Sequence, residues 1–281
     1  MSPLRPLLAA TPLEQHRHGP GFSTASLRGL GVSLDPFLNA DIFRMAQPYF
    51  PPHPHAGFSA VTWMFPDGDG GFVNRDSLGD RSIIGPGAMH WTLAGSGVVH
   101  EEVPETRGVE AHGIQLFVNL PASKKLVAPT SMHLDAGDVP VDAPGDGVTA
   151  RVFTGRSGQV TSRLEPLPPV TLLDVRLAPN AEYRFDAAPG ETVLALGWDG
   201  GGTAGEGSTF GRGQAVVFER TRGAARFKAG ATGLRFHLLA GQPLGEPVVF
   251  RGPFAMSDER QAKEASMRYQ AGEMGALSPS F

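Results

Sequence analysis

Two short patterns in this chain carry metal-ligand chemistry. One is His53-Pro54-His55, which opens the run F50-P-P-H-P-H-A-G-F-S-A-V-T-W63; the other is His100-Glu101-Glu102 in V98-V-H-E-E-V103. Side chains alternate faces along a strand, so residues i and i+2 point the same way. His53 and His55 therefore share one face while Pro54 takes the other, a position that proline tolerates at a strand's first residues or on an edge. By the same alternation His100 and Glu102 share a face and Glu101 points away. Placed on neighbouring strands, the two pairs offer three imidazoles and one carboxylate. That donor set suits a single divalent first-row ion, iron, manganese, nickel, copper or zinc, with positions left open for water, substrate or O₂. A lone histidine in a strand is more often a satisfied or surface residue. Paired His-x-His and His-x-Glu favour the ligand reading, in which Glu101 is a solvated charge and Glu105 and Glu110 belong to loop surface.

The elements that must position these side chains read as strands. V61-T-W-M-F65, F72-V-N-R-D76, S82-I-I84, M89-H-W-T-L93, V98–V103 and G113-I-Q-L-F-V-N-L120 are short apolar runs separated by Gly, Pro and Asp clusters. Strands at about ten-residue spacing with turn signals between them indicate an all-β barrel or sandwich. Residues 1–20 read as an irregular lead-in and residues 121–150 as a connector or lid. From Ala150 the rhythm restarts with V170–L177, P189–G197, a glycine-rich turn at W198-D-G-G-G-T-A-G-E-G207, and Q214–E219. This echo of the first half points to a duplication. The tail S257-D-E-R-Q-A-K-E-A-S-M-R-Y-Q-A-G272 reads as a helix capped by Ser257 and stopped at Gly272.

Composition narrows the function classes. With 281 residues, 41% hydrophobic and 19% charged, the chain can bury one large core or two ordinary ones. Glycine (37) and proline (25) are abundant, as turn-rich β proteins require. There are no cysteines, so any metal must be held by His, Asp or Glu. A net charge of −4 without a long basic run leaves no electrostatic footprint for nucleic acid. No stretch approaches the roughly 18 apolar residues of a membrane span, and the first ten residues do not form a signal peptide. The expectation is a cytoplasmic, monomeric protein without nucleic-acid or membrane partners.

Several separated motifs resemble the pirin family of the cupin superfamily: F50–W63, R75-D-S-L-G79, I84-G-P-G87, W91-T-L-A-G-S-G-V-V-H-E-E102 and L116-F-V-N-L-P121. L34-D-P-F37 with Asp41 and Phe43 is similar to the family's upstream segment, and G245-E-P-V-V-F-R-G-P-F-A-M256 to its closing segment. The resemblance is dense over 34–121, loose over 122–244 and clear again near 245–256. It implies two cupin (jelly-roll type) β-barrels in tandem with a short C-terminal helix. The expected division is 1–135, an N-terminal barrel with the metal site, and 136–281, a C-terminal barrel without metal plus the helix. The implied ligands are His53, His55, His100 and Glu102, and the implied ion is Fe(2+), with Mn, Ni, Cu and Zn as alternatives. Residues 150–245 hold a single histidine, His237, read as structural.

Two roles follow from the resemblance. One is a quercetin 2,3-dioxygenase-like oxidoreductase (a quercetinase) that opens a flavonol ring, with Glu102 as general base and a small aromatic substrate. The other is a non-enzymatic, redox-sensitive regulator acting through a protein partner. Phe58, Trp63, Met64, Trp91 and Phe117 are candidate apolar walls. The turn F65-P-D-G-D-G-G71 is longer than the family pattern, and His90 stands where glutamine is more usual. His90 is open between a pocket-lining partner, a group behind the ligands and a plain strand residue. His112 and Gln115 lie on opposite faces, and alternation does not say which looks inward. Arg75 and Asp76 flank a turn and read as structural.

Overall fold

The structure is a computed structural model that describes residues 3–27 and 31–281. Met1 and Ser2, part of the expected lead-in, lie outside the described residues. The chain divides into two compact units: Gln15–Ser26, Phe37–Asp138 and Leu244–Phe281 form one, and Met1–Glu14, Leu27–Pro36 and Val139–Pro243 the other.

The unit holding residues 37–138 is built around two antiparallel sheets, with a two-stranded hairpin beside them. The larger has seven strands in the order Thr130–Leu134, Met89–Leu93, Phe58–Met64, Ala111–Asn119, Phe37–Met45, Phe22–Ser26 and Glu14–Gly19. The smaller orders His53–His55, Val98–Pro104, Phe72–Asp76 and Arg81–Ile84. Every residue of Phe58–Met64 is buried, as expected for a central strand covered on both faces. Directly paired residues share a face, so the register His133↔His90, His90↔Thr62, Thr62↔Gln115 and Gln115↔Asp41 lays one polar row across the sheet.

Gly57 shows why the F50–W63 motif needs glycine after His-Pro-His-Ala. Its φ is +83°, and a Cβ there would collide with the Ala255 carbonyl. The closing hairpin Val249–Arg251 and Phe254–Met256 thus lies directly on the start of the Phe58–Met64 strand, with Ala255 N donating to Ala56 O at 3.0 Å. The Lys125 ammonium, 1% exposed, donates to Gly57 O (2.8 Å), Asn119 Oδ1 (2.5 Å) and Ala255 O (2.9 Å), tying three segments together.

The other unit is a nine-stranded sheet centred on the long strands Thr192–Ala204 and Gly223–Gly241. Its interior is packed with apolar side chains, among them Phe210, Phe218, Phe227 and Phe236, with Phe227 and Phe236 stacked at 4.2 Å. The mostly β architecture with one short helix agrees with the tandem barrels that the sequence resemblance implies. Among the described residues, no helix is long and apolar enough to cross a membrane.

Several local expectations are corrected. The lead-in contains strands Leu7–Pro12 and Glu14–Gly19; the latter is almost wholly exposed, and such an edge strand needs no apolar alternation to betray it. The connector contains Thr130–Leu134, which pairs with Met89–Leu93 as a sheet edge. The glycine-rich segment after Trp198 is not a turn until Gly205: Thr192–Ala204 runs through it as strand with register shifts. A Cβ at Gly202 would strike the Lys228 carbonyl, so the glycine there serves close strand approach. The helix, Glu259–Gln270, is capped by the Asp258 side chain, which accepts from Gln261 N at 2.7 Å, rather than by Ser257. It also departs from the expected 135/136 division. Ala262 and Ala265 pack with Ala56 and Val99, so the helix belongs to the unit of residues 37–138.

Candidate metal centre

The register sets His53 directly opposite His100, and His55 opposite Val98, on neighbouring antiparallel strands. Three rings that alternation aims at one face therefore meet. Ring centroids are 4.9 Å apart for His53–His55, 4.7 Å for His53–His100 and 4.8 Å for His55–His100. One nitrogen from each ring lies within 4.8 Å of the others. His55 and His100 are buried and His53 is partly exposed, at the mouth.

The ring nitrogens differ in their partners. His53 Nδ1 is held at 2.9 Å from the Pro51 carbonyl, which orients the ring and leaves Nε2 for another partner. His100 Nδ1 is 3.4 Å from Asn74 Oδ1. His55 Nδ1 and His100 Nε2 are buried and have no hydrogen-bond partner. Burial disfavours the imidazolium of all three: it lowers His53, takes His55 down to about 3 with help from His53, and places His100 well below the usual range, with His55, His53 and His90 adding to the effect. Neutral rings with unpartnered buried nitrogens fit a divalent first-row cation, whose binding would satisfy atoms otherwise costly to bury.

Glu102 lies one strand repeat beyond His100, about 6.8 Å along the same face. Its carboxylate is not part of the three-histidine cluster. Oε1 instead accepts the Thr62 hydroxyl at 2.6 Å, and Gln115 Oε1 lies 3.2 Å from the same hydroxyl. Burial raises the Glu102 carboxyl to about 7, only partly offset by the Thr62 bond. Gln115 is thus the member of its pair that looks toward the site. His112 is on the other face, against Phe65 and 3.1 Å from Asp67. His90 is buried on the Thr62 face, with Nδ1 3.4 Å from His133 Nδ1 and Nε2 3.8 Å from Asp80 Oδ2. It is therefore a buried polar partner, not a plain strand residue.

Of the candidate walls, Phe58 and Phe117 stand beside His55, at 5.0 and 5.5 Å between ring centroids. Met64 shares the Thr62 face but packs with Phe43 and Phe72. Trp63 and Trp91 point to the opposite face of the sheet. Glu101 is buried rather than solvated: Arg75 and the Ser280 amide (3.1 Å) bind it, outweighing burial and holding its carboxyl below the usual range. Arg75 and Asp76 are structural, Asp76 Oδ1 accepting from Leu78 N and Asp80 N. Glu105 is exposed, and exposed Glu110 pairs with Arg44. His237 is buried and stacks on Trp198 at 5.9 Å. Sequence reasoning missed Thr62 and Asn74. A polar residue on an inward strand face, as Thr62 is between Val61 and Trp63, was the available signal.

Residues 26–118 match the Pirin family model and residues 172–275 the pirin C-terminal cupin domain. A pirin-like protein of Solanum lycopersicum is 34% identical over 246 residues, covering 86% of this chain and 83% of its own. The chain belongs to the pirin family. Another pirin-like protein, from Caulobacter vibrioides, is 32% identical and aligns over 96% of this chain and 99% of its own length. The crystal structure of a quercetin 2,3-dioxygenase from Acinetobacter baumannii superposes with a TM-score of 0.86 at 27% identity, over 97% of this chain and 99% of that one. In this pirin the three-histidine cluster suggests a single metal ion.

Proposed function

We propose that this pirin is a quercetin 2,3-dioxygenase-type enzyme. His53, His55 and His100 would hold one divalent ion, Fe(2+) foremost, and Glu102 would serve as fourth ligand and proton acceptor. The observation that carries the reading is the convergence of three neutral imidazoles, of which the two buried ones, His55 and His100, each have an unpartnered nitrogen. The likeness to the Acinetobacter baumannii enzyme supports the choice of a flavonol as substrate.

A bound ion would supply Lewis acidity that lowers the pKa of a flavonol 3-hydroxyl. The protein's own groups account for the rest. Glu102, whose carboxyl burial raises in the metal-free protein and which a ligated ion would return to its ionised form, is placed beside the ion to accept that proton. Thr62 holds Oε1 and so orients the second carboxylate oxygen. Phe58 and Phe117 offer flat apolar surface next to His55 and limit water there. Overall, flavonol and O₂ yield the ring-opened ester and carbon monoxide.

The test is to load the protein with iron without oxygen, then add O₂ and quercetin. Loss of flavonol absorbance with stoichiometric carbon monoxide is expected. It should be abolished in His55→Ala and strongly reduced in Glu102→Gln, which should keep most of its metal. Tight metal binding with no turnover across a panel of flavonols would overturn the enzyme reading in favour of a regulator; a protein partner captured differently by the ferrous and ferric forms would establish that role. Full activity in Glu102→Gln would remove Glu102 as the base.

A further inference from the structure

Behind the His100 ring lies a buried amide that has no part in the chemistry above. Asn74 is fully buried on the strand next to His100, with Oδ1 3.4 Å from His100 Nδ1 and Nδ2 donating to Asp80 Oδ2 at 2.8 Å. Asp80 is fixed in turn: Ser82 N donates to Oδ2 at 3.1 Å and Ser82 Oγ to Oδ1 at 2.9 Å. We infer that Asp80 acts on the metal centre through Asn74, the two serving as positioning residues that set the tautomer and donor strength of His100. This inference rests on the metal reading of the three-histidine cluster.

The bonding permits one consistent arrangement. Burial works to raise the Asp80 carboxyl, but the Asn74 and Ser82 bonds and the nearby His90 outweigh it and hold it below the usual range. An ionised carboxylate only accepts, so the Asn74 amino group must face Asp80 and the Asn74 carbonyl must face His100. That carbonyl in turn requires a proton on His100 Nδ1. The lone pair is then on Nε2, which is the nitrogen found buried and without a partner. Both hydrogen bonds polarise in the same sense, so the negative charge of Asp80 is felt at Nε2 as greater basicity. A ligand whose ring is oriented and polarised from behind binds metal more tightly, and loss of such a partner typically costs roughly 10–100-fold in affinity. The strand register explains the placement. Asn74 pairs with Glu102 on one side and Ser82 on the other, so it shares the inward face while sitting between the centre and the Asp80 loop. His90 Nε2 stands 3.8 Å from Asp80 Oδ2 without bonding it.

The test uses cobalt(II), whose visible absorption reports its ligands, titrated into the full-length metal-free protein. Asp80→Asn and Asn74→Ala are expected to weaken cobalt binding roughly 10–100-fold while keeping one ion per chain. Both should move the cobalt absorption bands relative to wild type. Ser82→Ala, which removes a bond to the same carboxylate but leaves Asn74 in place, should retain affinity within about twofold and keep the wild-type spectrum. Wild-type affinity and spectrum in both Asp80→Asn and Asn74→Ala would overturn the inference. So would a loss in Ser82→Ala equal to that in Asp80→Asn, since the effect would then lie in the loop and not in the amide. If wild type itself bound no cobalt, the metal reading would fall first, an outcome distinct from a wild type that binds and variants that match it.

Discussion

At the scale of single residues, the site is a contest between desolvation and coordination. Burying imidazoles and a carboxylate without partners is unfavourable, and each responds by shifting toward its neutral form. Glu102 carries the clearest consequence for stability. Its folded carboxyl stands near 7 against an ordinary value of 4.5, so between those pH values the folded state keeps a proton that the unfolded state has lost. Stability of the metal-free protein therefore falls as pH rises from about 4.5 to about 7, by roughly 3 kcal/mol from this group. Glu102→Gln cannot titrate, so the stability difference between it and wild type, measured by denaturant unfolding across this range, should shift in favour of the variant as pH rises. A difference independent of pH would contradict the assigned burial of Glu102. The four candidate ligands were readable because strand alternation is a rule about i and i+2. Thr62 and Asn74 were not singled out because a polar residue on an inward face does not name its partner: Glu102 for Thr62, and His100 on the neighbouring strand for Asn74.

At the scale of elements, the centre depends on how the His53–His55 strand is anchored. Three residues of strand hold little by themselves, so the following turn must be fixed from outside. The anchor is Lys125, whose ammonium bonds the carbonyls of Gly57 and Ala255 and the side chain of Asn119. Lys125→Met keeps most of the apolar stem and removes the donors, leaving buried acceptors unsatisfied at roughly 1–3 kcal/mol each. The expected result is a loss of about 3 kcal/mol or more in denaturant unfolding, against no change for the exposed neighbour Lys124→Met. Equal stability of the two variants would show that the closing hairpin is held by apolar packing alone. Central strands such as Phe58–Met64 and Ala111–Asn119 were evident in advance because the mostly apolar runs V61–F65 and G113–L120 mark them. The edge strands Glu14–Gly19 and Thr130–Leu134 were hidden because a polar edge carries no such mark. Glycine was misleading after Trp198 because it can serve strand crossing as well as turns.

At the scale of the whole molecule, the two units spend their interiors differently. The unit of residues 37–138 lines part of its interior with His53, His55, His100, Glu102, Thr62 and Gln115. The unit of residues 139–243 fills its core with Phe210, Phe218, Phe227 and Phe236. The same strand rhythm in both halves revealed the duplication, and the motif-rich segment from 34 to 121 revealed the family. The assignment of the C-terminal helix to the unit of residues 37–138 was hidden, because a helix's amphipathic face does not name its partner. The functional proposal rests on one metal ion held by His53, His55 and His100. Metal content of the chelator-free purified protein, measured together with calorimetric titration of the metal-free form, tests it most directly. One divalent ion per chain is expected, lost in His53→Ala, His55→Ala and His100→Ala, and retained when the core of the other unit is altered by Phe227→Leu. Binding of no ion, or binding undiminished by all three histidine substitutions, would contradict it.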